Sequence, residues 1–178
     1  MRSAPVRGES VSRIAAIALG SNLASPWGDR EANLREAVGR VARLGEVRGV
    51  SSFHDTAPVG TTEQPRFLNG AMLLETALEP VELMRALLAI ERAMGRDRAV
   101  VTDAEQSGVA PIKGPRTIDL DLLLMGDVVL DTHELTLPHP AMAERRFVLE
   151  PLAEIAPAMV DPVSGCTVAE MLARLAGR

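Results

Sequence analysis

Two spacings of apolar residues alternate along this chain. Ile14 to Leu19 is a short unbroken apolar run closed by Gly20, which predicts a buried strand. Leu34, Val38 and Val41 then share a helical face, with Asp29 placed to cap its start and Gly45 to end it. A weak strand is predicted over Val47 to His54, followed by a loop rich in Pro, Gly and Thr from Thr56 to Pro65. Phe67 to Thr76 predicts another strand. Pro80 opens a second helix that turns Leu83, Leu87, Ile90 and Met94 inward and stops at Gly95. No period is sustained from Arg96 to Lys113, and a long mobile loop is expected there. Ile118 to Met125 predicts a strand, Gly126-Asp127 a two-residue turn, and Val128 to Leu130 its hairpin partner.

The order strand, helix, strand, strand, helix, strand is the split βαβ arrangement. The expected fold is therefore α+β: a ferredoxin-like βαββαβ sandwich with an extra β-hairpin strand and C-terminal helices. Thr167-Val-Ala-Glu170 is a capping box that starts the last helix. Residues 1–13 are polar, with Arg2, Arg7 and Arg13 and no apolar stretch, and read as a flexible leader rather than a secretory signal. Residues 14–178 are then expected to form a single domain, with no internal repeat.

Composition narrows the function. With 178 residues, 47% hydrophobic and 24% charged, the chain can bury a real core as a soluble protein. Aromatics are only 2%, which argues against a stacking platform for single-stranded nucleic acid. A net charge of −5 argues against a general polyanion binder. No apolar run is long enough to span a membrane. Cys166 is the only cysteine, so no internal disulfide is possible, which fits a reducing cytosol. A cytoplasmic monomer with no nucleic-acid or membrane partner is expected.

The chemistry concentrates in residues 114–121, Gly-Pro-Arg-Thr-Ile-Asp-Leu-Asp. On a strand, Asp119 and Asp121 point to one face, with Cα atoms about 6.6 Å apart. At about 5 Å and an effective dielectric near 20, their repulsion is about 3 kcal/mol. A divalent cation offsets that, and Mg²⁺ takes one or two carboxylates together with substrate phosphates. Arg116 adds a phosphate-type cation at the turn before the acids. Arg96, Arg98, Arg145 and Arg146 lie where they could join it, and several guanidinium forks around an acid pair suggest a polyphosphate site. There is no Gly-x-x-x-x-Gly-Lys-Ser/Thr loop, no Gly-x-Gly-x-x-Gly turn and no Gly-x-Ser-x-Gly elbow. His54, His133 and His139 lack the spacing of a zinc site.

Five segments carry a resemblance over residues 14–176. They are Ala18-Leu-Gly-Ser-Asn22, Thr56-Ala-Pro-Val-Gly60, Gln64-Pro-Arg-Phe-Leu-Asn69, Gly114 to Asp121, and Leu135-Thr-Leu-Pro-His139 with Arg145 and Phe147. Together they resemble the 6-hydroxymethyl-7,8-dihydropterin pyrophosphokinase family of folate biosynthesis. The resemblance implies that the pterin hydroxymethyl oxygen attacks the β-phosphorus of ATP, that the pyrophosphoryl group moves as a unit, and that AMP leaves. It implies two Mg²⁺ ions held by Asp119 and Asp121, with ATP as co-substrate and the hydroxymethyl dihydropterin as acceptor. Arg96 and Arg116 would contact the transferred phosphates and, with the two acids, form the catalytic set. Glu91, Arg98, Leu122, Thr136, His139 and Arg145 would line the nucleotide. Thr56, Ala57, Pro58, Val59, Phe67, Asn69 and Phe147 would form the pterin pocket.

The chain departs from the commonest family pattern at several positions. Lys113 stands where many members have Trp, Phe67 where Tyr is frequent, Pro140 where an aromatic is often found, and Glu134 where a basic residue can occur. These bear on affinity and loop closure, not on the acid pair. A non-catalytic ferredoxin-like module that senses a nucleotide or a pterin is the alternative. Such a sensor has no need for both carboxylates together with phosphate arginines on separate segments.

Overall fold

The computed structural model describes residues 11–58, 64–95 and 115–177. Its centre is β1 (Arg13–Ser21), the apolar run expected to be a buried strand. After it, α1 (Arg30–Val41) starts where Asp29 accepts the Ala32 amide at 2.9 Å, satisfying one orphan donor of the first turn. A short 3₁₀ turn over Ala42–Leu44 extends the helix to Gly45. The expected strand over Val47 to His54 is divided into β2 (Glu46–Val50) and β3 (His54–Thr56). Ser51 explains the break. Its amide donates to the Ala71 carbonyl at 2.9 Å, while its own hydroxyl oxygen accepts the Ala71 amide at 2.9 Å. The side chain replaces a ladder carbonyl, so the chain steps without leaving a buried group unpaired.

Next come β4 (Phe67–Thr76) and α2 (Pro80–Ala93), which opens with Pro at its first position and a capping box from Glu79 and Glu82. Gly95 follows at φ 83°, the left-handed conformation that ends a helix. The expected loop over 96–113 and the leader's first ten residues lie outside the described residues. The chain resumes with β5 (Asp119–Met125). Residues 128–130 do not pair back onto β5, contrary to the expected hairpin. Instead β6 (Leu130–Asp131) pairs with β7 (Thr136–Leu137) in a separate two-stranded ribbon. The Gly126 amide bonds the Ile14 carbonyl at 2.9 Å, which leads the chain across the end of β1 instead. Then α3 (Arg146–Ile155) and α4 (Val168–Ala176) close the fold, α4 from the expected Thr167–Glu170 capping box.

The sheet runs β2-β4-β1-β5, with β3 also on β4, and every pairing is antiparallel. That is the ferredoxin-like order, in which both crossover helices cover one face. There α1 and α2 bury Ile17, Leu19, Leu34, Met72, Leu74, Leu83, Leu87 and Leu122. The other face is covered by α3 and α4 and buries Ala16, Ala18, Ala71, Leu73, Leu149 and Leu152. One bulge adjusts β5 to both. The register of β1 on β5 slips between Ala16 and Ile17, so Leu123 and Leu124 both reach the second core. Each fully buried Leu stabilises the fold by about 1.5–3 kcal/mol.

Candidate active site

Alternation along β5 separates two kinds of side chain. Leu120 and Leu122 enter the α1/α2 core, and Asp119 and Asp121 point to the opposite face. Across the ladder Asp119 pairs with Gly20, and Asp121 with Ala18. Gly20 in turn pairs with Asn69, and Asn69 with His54. The site is therefore one row of the sheet, His54–Asn69–Gly20–Asp119, beside the end of the second core. Its floor is flat because β1 offers only small residues there. A Cβ on Gly20 would lie 3.2 Å from Asn69 Oδ1 and 3.7 Å from Asp119 Cβ.

Two arginines meet the acids. Arg116, just before β5, is 9% exposed and donates from one terminal nitrogen to Asp119 at 2.9 Å. Its guanidinium lies 5.4 Å from the centre of the Phe67 ring. Its Nε is buried without a hydrogen-bond partner. Arg145, at the start of α3, approaches Asp121 at 3.9 Å and lies 5.9 Å from the centre of the Phe147 ring. The side chains of Asp119 and Asp121 remain 17% and 28% exposed, open to a ligand on that face. At this spacing the carboxylates are hard-oxygen donors with cations at either end, a set suited to phosphate and a divalent ion. Among the described residues no cluster of three or more His, Cys, Asp or Glu could hold a metal without such help.

The other expected residues fall into two groups around this centre. Asn69 Nδ2 donates to Thr56 Oγ1 at 2.6 Å, which aims the amide along the floor from β4 to β3. Phe67 starts β4, Ala57 and Pro58 follow β3, and Phe147 packs against the second core. On the outer edge of β5 a groove of about 670 Å³ runs between α2 and the β6–β7 ribbon. Leu120, Asp121, Leu122, Thr136 and His139 line it, so it shares Asp121 with the acid pair. His139 is fixed there by its amide, which donates to the Leu123 carbonyl at 2.9 Å. Val59, Arg96 and Arg98 lie outside the described residues.

Glu91 is placed differently from a solvent-facing contact. It is 1% exposed, and its carboxylate accepts the Leu120 amide at 2.7 Å. The residue anchors the free edge of β5 to α2, midway between the two acids. Several residues escaped the sequence reading. Thr117 Oγ1 donates to the Met94 carbonyl at 2.9 Å, tying the end of α2 to the lead-in of β5. Arg85 and Arg92 line the groove from α2, and Arg85 makes a forked pair with Glu134 across it at 2.7–3.0 Å. Helical spacing from Leu88 could have found Arg92. The Arg85–Glu134 pair, 49 residues apart, left no local signal.

Known proteins resemble this chain in sequence and in fold. The profile of the family described as 7,8-dihydro-6-hydroxymethylpterin-pyrophosphokinase (HPPK) matches residues 16–157. The 2-amino-4-hydroxy-6-hydroxymethyldihydropteridine pyrophosphokinase of Bacillus subtilis is 44% identical over 147 residues, 82% of this chain and 79% of that protein. The protein of the same name from Pseudomonas aeruginosa is 43% identical over 159 residues, 88% of each. A crystal structure of Plasmodium falciparum HPPK-DHPS superposes with a TM-score of 0.73 at 15% identity, over 97% of this chain and 46% of that one. That likeness shows the fold, and this chain spans about half of the solved chain. The family profile and the bacterial relatives, taken with the acid pair and its arginines, establish that this chain belongs to the 7,8-dihydro-6-hydroxymethylpterin-pyrophosphokinase family.

Proposed function

We propose that the chain performs the family's transfer at the row from Asn69 to Asp119, with ATP in the groove beside β5 and the pterin over β3 and β4. One observation carries the reading: Asp121 borders both the groove and the sheet face that Asp119 and Asn69 share. A nucleotide lying in the groove with its phosphates at Asp121 would bring its β-phosphorus toward an acceptor held at Asn69. The groove's volume and apolar walls suit a base and ribose. The flat floor and the Asn69 amide suit a planar, hydrogen-bonding heterocycle. In the reaction the hydroxymethyl oxygen forms a bond to the β-phosphorus as the α–β bridging bond breaks. AMP then leaves and the hydroxyl proton is lost.

Asp119 and Asp121 would hold Mg²⁺, and the two-carboxylate set fits an ion that takes its remaining ligands from phosphate and water. When bound, the metal supplies charge neutralisation on the phosphate oxygens. Arg116 would turn from Asp119 toward the transferred group, its buried Nε gaining a partner. Arg145 would steady the phosphates near Asp121, and Arg96 and Arg98 would add charge from the chain after α2. Phe67 and Phe147 would wall the pterin, together with Thr56, Ala57, Pro58 and Val59. Leu122, Thr136 and His139 would enclose the nucleotide. Glu91 would act from beneath, by holding the Leu120 amide. The reading takes residues 14–178 as one domain, a cytoplasmic monomer with the whole site in one chain. Among the described residues no helix is long and apolar enough to cross a membrane.

The test is AMP formation from MgATP with and without 6-hydroxymethyl-7,8-dihydropterin. AMP is expected in amounts equal to the pterin diphosphate made, and only when the pterin is present. Binding of both ligands with no AMP would overturn the reading in favour of a sensing module. In the same assay Asn69→Ala is expected to raise the pterin KM about tenfold, the effect of one lost polar contact, with the ATP KM within about twofold of wild type.

A further inference from the structure

One buried residue touches both halves of this site and belongs to neither. Asn22 is 2% exposed and follows the last residue of β1, the strand between β4 and β5. Its amide N–H donates to the Arg116 carbonyl at 3.1 Å. The Arg116 amide donates back to Asn22 Oδ1 at 2.7 Å. On its other side Asn22 Nδ2 donates to the Pro65 carbonyl at 3.4 Å. Both backbone groups of Arg116 are therefore fixed by one residue, three positions before the Asp119 carboxylate that the Arg116 side chain reaches. Pro65 stands two positions before Phe67, whose ring faces that same guanidinium.

The geometry points to Asn22 as a positioning residue for the transfer, an inference that rests on the site assignment above. Only a side-chain amide can serve both neighbours: it accepts from the Arg116 N–H with its oxygen and donates to the Pro65 carbonyl with its nitrogen. An aspartate keeps the first bond and loses the second. Alanine loses both and leaves the Arg116 N–H buried without a partner. The backbone of Arg116 then gains freedom, and so does the segment delivering the Phe67 ring. A guanidinium that must meet the transferred phosphate loses its fixed starting point on two sides. The cost falls on turnover more than on affinity, because the misplaced group acts at the reacting phosphorus.

A double-mutant cycle on the full chain tests this. Turnover and both KM values are measured for wild type, Asn22→Ala, Arg116→Ala and the double variant, with thermal melts confirming that each is folded. Asn22→Ala alone is expected to lower kcat about 30-fold with each KM changed less than about threefold. In the Arg116→Ala background the same change is expected to cost less than about twofold, because Asn22 acts through Arg116. Losses that multiply in the double variant, or an Asn22→Ala turnover near wild type, overturn the inference. Should Asn22→Ala fail to fold, Asn22→Asp takes its place in the same cycle. It keeps the Arg116 bond and loses the Pro65 bond, so a smaller loss of kcat, about fivefold, is expected, again shrinking below about twofold in the Arg116→Ala background. An unchanged kcat, or losses that multiply, overturn the inference. Wild-type turnover in Arg116→Ala would instead sink the site assignment, so the two failures are distinguishable.

Discussion

The two faces of the sheet are built from the same strands on opposite plans. The face under α1 and α2 is filled with large aliphatic side chains from β1, β4 and β5, Leu19, Met72, Leu74 and Leu120 among them. The face under α3 and α4 is small at Ala16, Ala18 and Gly20 of β1 and at Ala71 of β4, with Leu73 the larger residue beside them. Over half of that face the helices close onto the small residues and make a second core. Over the other half the sheet presents the polar row from His54 to Asp119, with Asp121 and Phe67 beside it. Apolar packing and polar groups are thus separated by the pleat: consecutive residues of β5 face opposite sides. The polar face is also held by polar means. Glu154 on α3 accepts from the Ser52 amide at 2.8 Å and the Ser52 hydroxyl at 2.7 Å, and it bonds the His54 ring. On the other face aliphatic packing dominates, joined by Glu91 of α2 on the Leu120 amide.

The largest effects should come from breaking this division on β5 itself. Asp119→Ala or Asp121→Ala is expected to lower turnover at least about 100-fold, through lost stabilisation of phosphate charge, while the melting temperature holds. Leu120→Ala, between them, is expected to lose about 2–5 kcal/mol of stability in denaturant titration. A folded Asp119 or Asp121 variant with near-normal turnover at ordinary Mg²⁺ would remove the acid pair from the chemistry.

Two glycines adjoining across the β1–β4 ladder sharpen the contrast on a smaller scale. A Cβ at Gly70 would lie 2.7 Å from Phe53 Cδ1, against the aliphatic core, whereas one at Gly20 would crowd Asn69 Oδ1. Gly70→Ala is expected to cost about 1–3 kcal/mol as overpacking, with activity per folded molecule kept. Gly20→Ala is expected to shift Asn69 and raise the pterin KM by up to about tenfold, with little loss of stability. Steady-state kinetics and melts on the same preparations decide, and equal stability losses would erase the distinction between the faces.

The smallest effect is electrostatic. The Ser52 hydroxyl first, then the Ser52 amide and His54, hold the Glu154 carboxyl below its ordinary value of 4.5. A depressed folded value means the carboxylate contributes stability that is complete above 4.5 and is lost as pH falls through the folded value. Glu154→Gln should therefore lose less stability than wild type between neutral pH and the acid range. The difference is expected to be under about 1 kcal/mol for so exposed a group. Parallel acid-unfolding curves would remove this strap from the site face.

Local pattern settled much of this protein. The apolar runs of β1, β4 and β5 and the helical spacing of α1 and α2 need no partner to be seen, because period follows from backbone geometry. The same holds for the Thr167 capping box and for the Asp-x-Asp pair, whose shared face follows from the pleat. Tertiary structure decided what depends on neighbours distant in sequence. Ser51 divides the weak edge strand because Ala71 lies opposite it. Leu130 and Asp131 pair away from β5 because Thr136 and Leu137 offer the pairing, and Glu91 is buried because the edge of β5 presents an amide to it. The groove and the Asn22 junction arise the same way, from segments 43 to 94 residues apart. Hydrogen-bond partners and cavity walls belong to the packed chain, and a sequence read locally carries the groups but not their meeting.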